Sequence, residues 1–258
     1  MTEMRGAGAG EPAAVGEAAR FLSAGDRAFV VEFGDAIDRA VNARVVRTAE
    51  RVRALGLEGV AEITATFRSL MIRYDPLATS RETVEAAVAA LPLDPPGAAV
   101  RRRVWAIPAL YGGAGGSDLD GVAGTAGLDA AEVVRMHAAE PYHVYMLGFL
   151  PGFAYLGDLP GPLRLPRLAT PRVRLPAGSV AIALAMTAVY PVASPGGWRL
   201  IAETPVRFFD PAAPSPSLLA PGDAVRFVPV DAAERDRVAA AVARGDYRPD
   251  CAEEEAAR

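Results

Sequence analysis

YHVYMLGFLPGFAYLGDLPGPLRLPRLATPRVRLPAGSVAIALAMTAVYPVASPGGW, residues 142–198, is the stretch whose reading decides the fold. Short apolar runs are broken every few residues by Pro and Gly, the pattern of short strands joined by tight turns and not of a helix. Four arginines, Arg164, Arg167, Arg172 and Arg174, fall within eleven residues of it. Three prolines in PRLATPRVRLP fix φ, so the guanidiniums are presented from a stiff loop suited to capturing carboxylate or phosphate.

Upstream, Leu128 to Ala139 carries the clearest local helix signal. Asp129 is the N-cap, Glu132 its capping-box partner, Leu128 and Val133 the staple, and Pro141 the stop. His137 falls in the last turn, where the helix dipole is expected to favour the imidazolium. Spacing alone leaves His137 between capping, packing and catalysis, and His143 sits in the following strand. Downstream, turns at LPAGSV, SPGGW and APGDAVRF continue the strand pattern to about Val230, which predicts a closed β-barrel. Asp231 to Ala243 is then a helix.

Towards the N-terminus, RRRVWAIPALY is a strand preceded by LDPPGAA, the best linker in the chain. Its three arginines read as a solvated strand start. YGGAGGSDLDGVA lacks the GK[ST] of a phosphate loop and reads as a flexible turn before an aspartate-capped helix. Further back come a strand AFVVEF, a helix from Ala36 to Leu55 capped by Asp35, strands at 60–67 and 69–74, and a helix from Thr79 to Leu91 capped by Ser80 or Thr79. That order predicts a small α/β domain of ferredoxin-like type. The predicted organisation is an α+β protein: a disordered extension over 1–20, an α/β domain over 21–93, a linker over 94–100, a barrel over 101–245 and a frayed tail over 246–258.

Composition excludes several chemistries. All 27 basic residues are Arg, so lysine Schiff bases and the P-loop lysine are absent. Two histidines and one cysteine, Cys251, cannot build a Cys/His zinc cluster or an internal disulfide. A net charge of −4 gives no electrostatic pull towards nucleic acid or an acidic membrane. No apolar segment has the length of a membrane span or the form of a secretory signal, and the expected location is cytoplasmic. Ser179 lies in a turn, not a G-x-S-x-G elbow, and nothing pairs it with a base. Tyr155, Tyr190 and Trp198 read equally as barrel core or pocket wall. The residues alone reach a two-domain protein whose barrel binds a small anion.

At GFLPGFAYLGDLP (148–160), PRLATPRVRLPAGSV (166–180) and YPVASPGGW (190–198) the chain resembles the family of the 5-oxoprolinase B subunit, also called allophanate hydrolase subunit 1 or the KipI family. GDRAFVVEFG (25–34) and PGDAVRFVPV (221–230) extend the likeness from about Gly25 to about Val230. The resemblance implies an N-terminal α/β domain followed by a cyclophilin-like β-barrel. It implies a complex with homologues of the 5-oxoprolinase A and C subunits that hydrolyses 5-oxoproline to glutamate. ATP with Mg would act at the level of that complex, with no cofactor or metal held tightly by this chain alone. Alternative roles carried by the same resemblance are a KipI-like inhibitor of a sensor histidine kinase and a carboxylase-associated component of the urea amidolyase type. The matching positions are His137, the Gly152-Phe153 turn, Arg167, Arg172, Arg174, Gly178-Ser179 and Tyr190; on them we base our own assignment of His137 as acid–base residue and Arg174 as its electrostatic partner, with Gly152, Phe153, Tyr155, Arg167, Arg172, Ser179 and Tyr190 around the substrate. One departure stands out: where the family reads G-x-Q-T-G this chain has Leu184-Ala185-Met186-Thr187-Ala188. The Met186 thioether cannot replace amide hydrogen bonds, and Leu184 is expected to narrow the pocket mouth.

Overall fold

A computed structural model describes residues 14–94 and 101–255, and the chain divides into two units between Ala99 and Val100. The first unit holds α1 (Val15–Ala18), β1 (Arg20–Ser23), β2 (Ala28–Glu32), α2 (Arg39–Leu55), β3 (Val60–Ala65), β4 (Ser69–Tyr74) and α3 (Arg81–Ala89). Its antiparallel sheet has the order β1-β2-β4-β3. Strands β2, β4 and β3 with the two long helices follow the ferredoxin-like path, but the remaining edge position is taken by β1, from ahead of the unit.

Helix α2 begins three residues later than the pattern predicts, because Asp38 and not Asp35 is the cap: its carboxylate accepts from the N–H of Ala40 at 2.8 Å and Val41 at 3.1 Å. Gly56, at φ 58°, ends the helix in the left-handed conformation. Phe29 and Val31 of β2 and Leu70 and Ile72 of β4 are fully buried against Val45, Ala49 and Val52 of α2 and Val84 and Val88 of α3. Each such side chain contributes roughly 1.5–3 kcal/mol on leaving water, so the alternating faces of β2 and β4 are the anchor of this unit.

The expected disorder over 1–20 needs correction from Ala14 onward; residues 1–13 lie outside the described chain. Val15 is fully buried and its N–H donates to the Leu91 carbonyl at 2.8 Å. Strand β1 then stacks Phe21 on Phe29 at 6.1 Å and pairs Arg20 with Glu32. Of the linker, residues 95–100 lie outside the described chain, whereas Asp94 is held by Arg47 and Arg51 at 2.5 Å each.

The second unit comprises β5 (Arg101–Tyr111), α4 (Leu119–Ala126), α5 (Ala130–Ala138), β6 (Tyr142–Leu147), β7 (Ala154–Gly157), a 3-10 turn (Gly161–Leu163), β8 (Arg172–Leu175), β9 (Ser179–Ala183), β10 (Met186–Val189), β11 (Ser194–Gly196), β12 (Arg199–Glu203), β13 (Ala224–Pro229), α6 (Ala232–Arg244) and β14 (Cys251–Glu255). Seven strands run β12-β9-β10-β7-β6-β13-β5, and β5 closes the ring by pairing Tyr111 with Ala202 of β12. The fold is therefore α+β, a ferredoxin-like sheet followed by a closed barrel of cyclophilin-like type. Inside the barrel, Ile107, Val144, Leu156, Val180, Ile182, Val189, Ile201 and Phe227 are buried, joined by Val122 of α4 and Val133 of α5. Strands β8 and β11 form a separate two-stranded ribbon.

Within the tail expected to fray, Cys251–Glu255 instead pairs with β5, so Glu253, Glu254 and Glu255 lie opposite Arg103, Arg102 and Arg101; residues 256–258 lie outside the described chain. Opposite charges across an antiparallel pair favour this register. The three consecutive arginines are thus a strand edge facing three consecutive glutamates.

Candidate functional site

Successive side chains of a strand point to opposite faces. In β9 and β10 this places Val180, Ile182, Thr187 and Val189 towards the barrel interior, while Ala181, Ala183, Met186 and Ala188 meet a separate aromatic cluster outside. The residues singled out from sequence divide between these two faces.

His137 is inside. Its ring is fully buried, stacked on Phe227 at 4.7 Å between centroids and tilted against Tyr142 at 5.1 Å. Thr187 donates its hydroxyl proton to the Ala181 carbonyl at 3.1 Å, so its oxygen accepts from His137 Nε2–H at 2.9 Å. That leaves Nδ1 as an acceptor, filled by the Tyr111 hydroxyl at 2.7 Å. Tyr111–His137–Thr187–Ala181 is therefore a one-way chain that fixes the neutral Nε2–H tautomer. Burial pushes the His137 pKa down to about 3 and raises those of Tyr111 and Tyr142. The expectation of a dipole-stabilised imidazolium outside the core is corrected: desolvation outweighs the helix end, and both ring nitrogens are committed. His137 holds α5 to β5 and β10 and has no proton to exchange with a substrate in this state.

Outside the barrel, Gly152, Phe153, Tyr155, Arg167 and Tyr190 come together. Gly152, at φ 77°, packs so closely that an added Cβ would lie 2.7 Å from Phe209 Cβ and 2.9 Å from the Phe208 carbonyl oxygen. That turn delivers Phe153, which meets Tyr155, Tyr190 and Trp198 edge-on at 5.1, 5.3 and 5.9 Å. Arg167 lies over the Trp198 ring at 6.0 Å. Gly196 leaves room for the Tyr190 hydroxyl, 2.5 Å from where its Cβ would be. The Tyr190 pKa is raised, chiefly by burial, against a backbone hydrogen bond from Trp198 and the nearby Arg167 charge. Half-buried Tyr155 and Met186 form the accessible part of this wall, with Arg167 exposed at its edge.

The remaining positions do different work. Arg172 pairs with Asp118 at 2.6 Å, and Asp118 also accepts from the Leu200 N–H at 2.7 Å. Asp118 makes no side-chain cap on α4, so the expected aspartate cap is instead a tie between the ribbon and β12. The Ser179 hydroxyl donates to the Pro176 carbonyl at 2.8 Å, inside the turn that shapes it. Arg174 is exposed on the ribbon, with no carboxylate of the described residues in ion-pair range. His137 and the arginine loop therefore do not converge on one pocket, because the β9–β10 sheet stands between them. Leu184 does not narrow the recess either: it is 56% exposed in the β9–β10 turn. Sequence reasoning missed Tyr111, Asp118 and Thr187, whose partners are 26, 54 and 50 residues away and leave no local signal.

A shallow depression of about 440 Å³ lies elsewhere, between Arg103, Trp105 and Arg248 to Cys251, and none of the expected site residues lines it. Among the described residues no group of three or more His, Cys, Asp or Glu is placed to hold a metal ion. No helix among them is long and apolar enough to cross a membrane.

Comparison with known proteins agrees with this architecture. The chain is 42% identical over 217 residues to the 5-oxoprolinase B subunit of Escherichia coli O157:H7, covering 82% of this chain and 96% of the relative. It is 38% identical over 218 residues to the 5-oxoprolinase B subunit of Bacillus subtilis (strain 168), covering 79% and 90%. Among solved structures, TTHA0988 matches at 36% identity with a TM-score of 0.72 over 80% of this chain, which spans only 40% of that longer chain. Residues 19–219 match the carboxyltransferase domain, subdomain C and D. The chain thus belongs to the carboxyltransferase subdomain C and D family that includes the 5-oxoprolinase B subunit.

Proposed function

We propose that this chain is the B subunit of an ATP-dependent 5-oxoprolinase, working with homologues of the A and C subunits to open the lactam of 5-oxoproline to L-glutamate. The observation that carries this reading is the 42% identity to a 5-oxoprolinase B subunit over 96% of that relative. In the reaction the ring C–N bond breaks while water supplies a hydroxyl to the carbonyl carbon and a proton to the nitrogen. A lactam resists this unless its carbonyl is activated, and ATP with Mg supplies that activation in the complex. The chain has no lysine and no GK[ST] loop, so nucleotide binding is assigned to the partner subunits.

Within this reading the chain recognises substrate. 5-Oxoproline pairs a flat five-membered ring with a carboxylate. Half-buried Tyr155, beside Met186, offers the ring an apolar face, and Arg167, 6.0 Å over the buried Trp198, offers the carboxylate a guanidinium. Acid–base work falls to groups outside this chain, since His137 is sequestered.

The test is a reconstituted complex of this chain with its A- and C-type partners, assayed for ATP-dependent glutamate release from 5-oxoproline. Arg167→Ala is expected to raise KM about 10-fold or more with a smaller change in kcat, in line with loss of a charge-assisted pair. Absence of turnover by the unaltered complex, or an unchanged KM in the variant, overturns the reading.

A further inference from the structure

Among the described residues, five buried side-chain atoms have no hydrogen-bond partner: Nε of Arg47, Arg102 and Arg235, Nη1 of Arg172 and the Ser194 hydroxyl. The four arginines are engaged through other atoms or charges, Arg47 with Asp94, Arg172 with Asp118 and Arg235 with Glu203 among them. The Ser194 hydroxyl is left with nothing. The residue is 6% exposed, and a buried hydroxyl without a partner costs stability that nothing in the fold recovers. Folding alone favours alanine at this position.

Ser194 lies on the inner face of the β8–β11 ribbon. It pairs with Leu175, and Gly196 pairs with Arg172 after a register shift. Cross-strand partners share a face. Leu175 is fully buried in the outer aromatic cluster, and a Cβ at Gly196 would stand 2.5 Å from the Tyr190 hydroxyl and 2.7 Å from Leu175 Cδ1, so both pairs turn inward; Val173 and Arg174 between them are exposed. Two residues of strand separate Ser194 from Gly196, about 7 Å, which sets the unpaired hydroxyl on the side of the ribbon that faces Tyr190. Arg167 is tied to the same end of β11, because the N–H of the next residue, Leu168, donates to the Gly197 carbonyl at 2.7 Å. Tyr190, whose pKa is raised chiefly by burial, also feels the Arg167 charge.

We propose that Ser194 is a specificity-determining residue of the substrate site, its hydroxyl donating a hydrogen bond to the lactam carbonyl of 5-oxoproline. The inference rests on the reading of the chain as a 5-oxoprolinase B subunit and names the group of that site that reads the lactam. Arg167 takes the carboxylate, Tyr155 and Met186 border the ring, and Ser194 takes the carbonyl end. A site built around a hydroxyl rejects a ring that lacks the carbonyl, because the hydroxyl then stays buried and unpaired. Strands β8 and β11 form a sheet of their own, so the ribbon can lift to admit the ring while the hydrogen bonds of the barrel stay intact.

The experiment compares Ser194→Ala with the unaltered protein in two measurements: steady-state kinetics of the reconstituted complex on 5-oxoproline, and thermal unfolding of the full chain. KM is expected to rise about 10-fold or more with a smaller change in kcat. The melting temperature should hold or rise, because the variant removes an unpaired buried hydroxyl; a hydroxyl with a structural task would give the opposite sign. Ser194→Cys keeps nearly the same volume without a strong donor and should follow Ser194→Ala, which separates the lost hydrogen bond from any packing defect. A lower melting temperature in both variants marks a structural hydroxyl and overturns the proposal, as does an unchanged KM. Turnover that responds to Arg167→Ala but not to Ser194→Ala refutes this inference and leaves the 5-oxoprolinase reading standing. Absence of turnover by the unaltered complex overturns both.

Discussion

His137 should make the barrel acid-labile in a window set by its own burial. Its pKa is about 3 in the folded protein against 6.5 for a free imidazole. A depressed pKa means the unfolded chain binds the proton first. The stabilisation is therefore complete above pH 6.5 and is lost as pH falls towards 3. With those two values the loss between pH 7 and pH 5 is about 2 kcal/mol, from linkage at ~1.4 kcal/mol per pH unit below the unfolded pKa. That window lies above the ordinary carboxylate range, so Glu32 and Glu234, both lowered, contribute little there. The assay is urea unfolding at pH 7, 6 and 5 followed by tryptophan fluorescence, because both tryptophans, Trp105 and Trp198, report the second unit. His137→Gln should lower stability at pH 7 by roughly 1–3 kcal/mol, since Tyr111 and Thr187 lose a matched partner. It should also flatten the pH dependence. An unaltered chain equally stable at pH 7 and 5, or a His137→Gln variant with the same slope, would refute the buried neutral tautomer and reopen the catalytic assignment.

Two stability predictions test other parts of the barrel. Asp223 is 5% exposed and receives the half-exposed Arg103 in a bidentate pair at 2.8 and 2.8 Å, Trp105 Nε1–H at 3.1 Å and the Ala220 N–H at 2.9 Å, so Asp223→Ala should cost about 2–3 kcal/mol, chiefly by leaving the Trp105 and Ala220 donors without an acceptor. Chemical denaturation measures it, and a cost below about 1 kcal/mol would mean the cluster is hydrated. At Gly178, φ is 83° and a Cβ would stand 2.1 Å from the Thr204 carbonyl oxygen, so Gly178→Ala should lower stability by at least about 1 kcal/mol; an unchanged melting curve would show that the β8–β9 turn relaxes freely.

Much of this protein is local and was legible in its sequence. Asp129 caps its helix where the pattern places it, accepting from the Glu132 N–H three residues on at 2.8 Å, because a cap is decided within one turn of chain. The strand pattern of residues 142–198 pointed to the barrel, since burial on one face imposes alternation on each strand separately. Asp118 was missed, because its partners, Arg172 and Leu200, arrive from 54 and 82 residues away.

What only the tertiary structure decided is which face each residue occupies once the ring closes. The period of two says that Met186 and Thr187 point oppositely; it does not say which is inside. Closure through Tyr111 and Ala202, and the parallel pairing of β5 with β13, settle that question over separations of about a hundred residues. They send His137 into the core and leave Arg167 outside. The same long-range pairing sets three terminal glutamates against three arginines and turns an apparent loose end into a strand. Composition and spacing named the chemical groups, but their sidedness and protonation depend on desolvation, which exists only when distant segments meet.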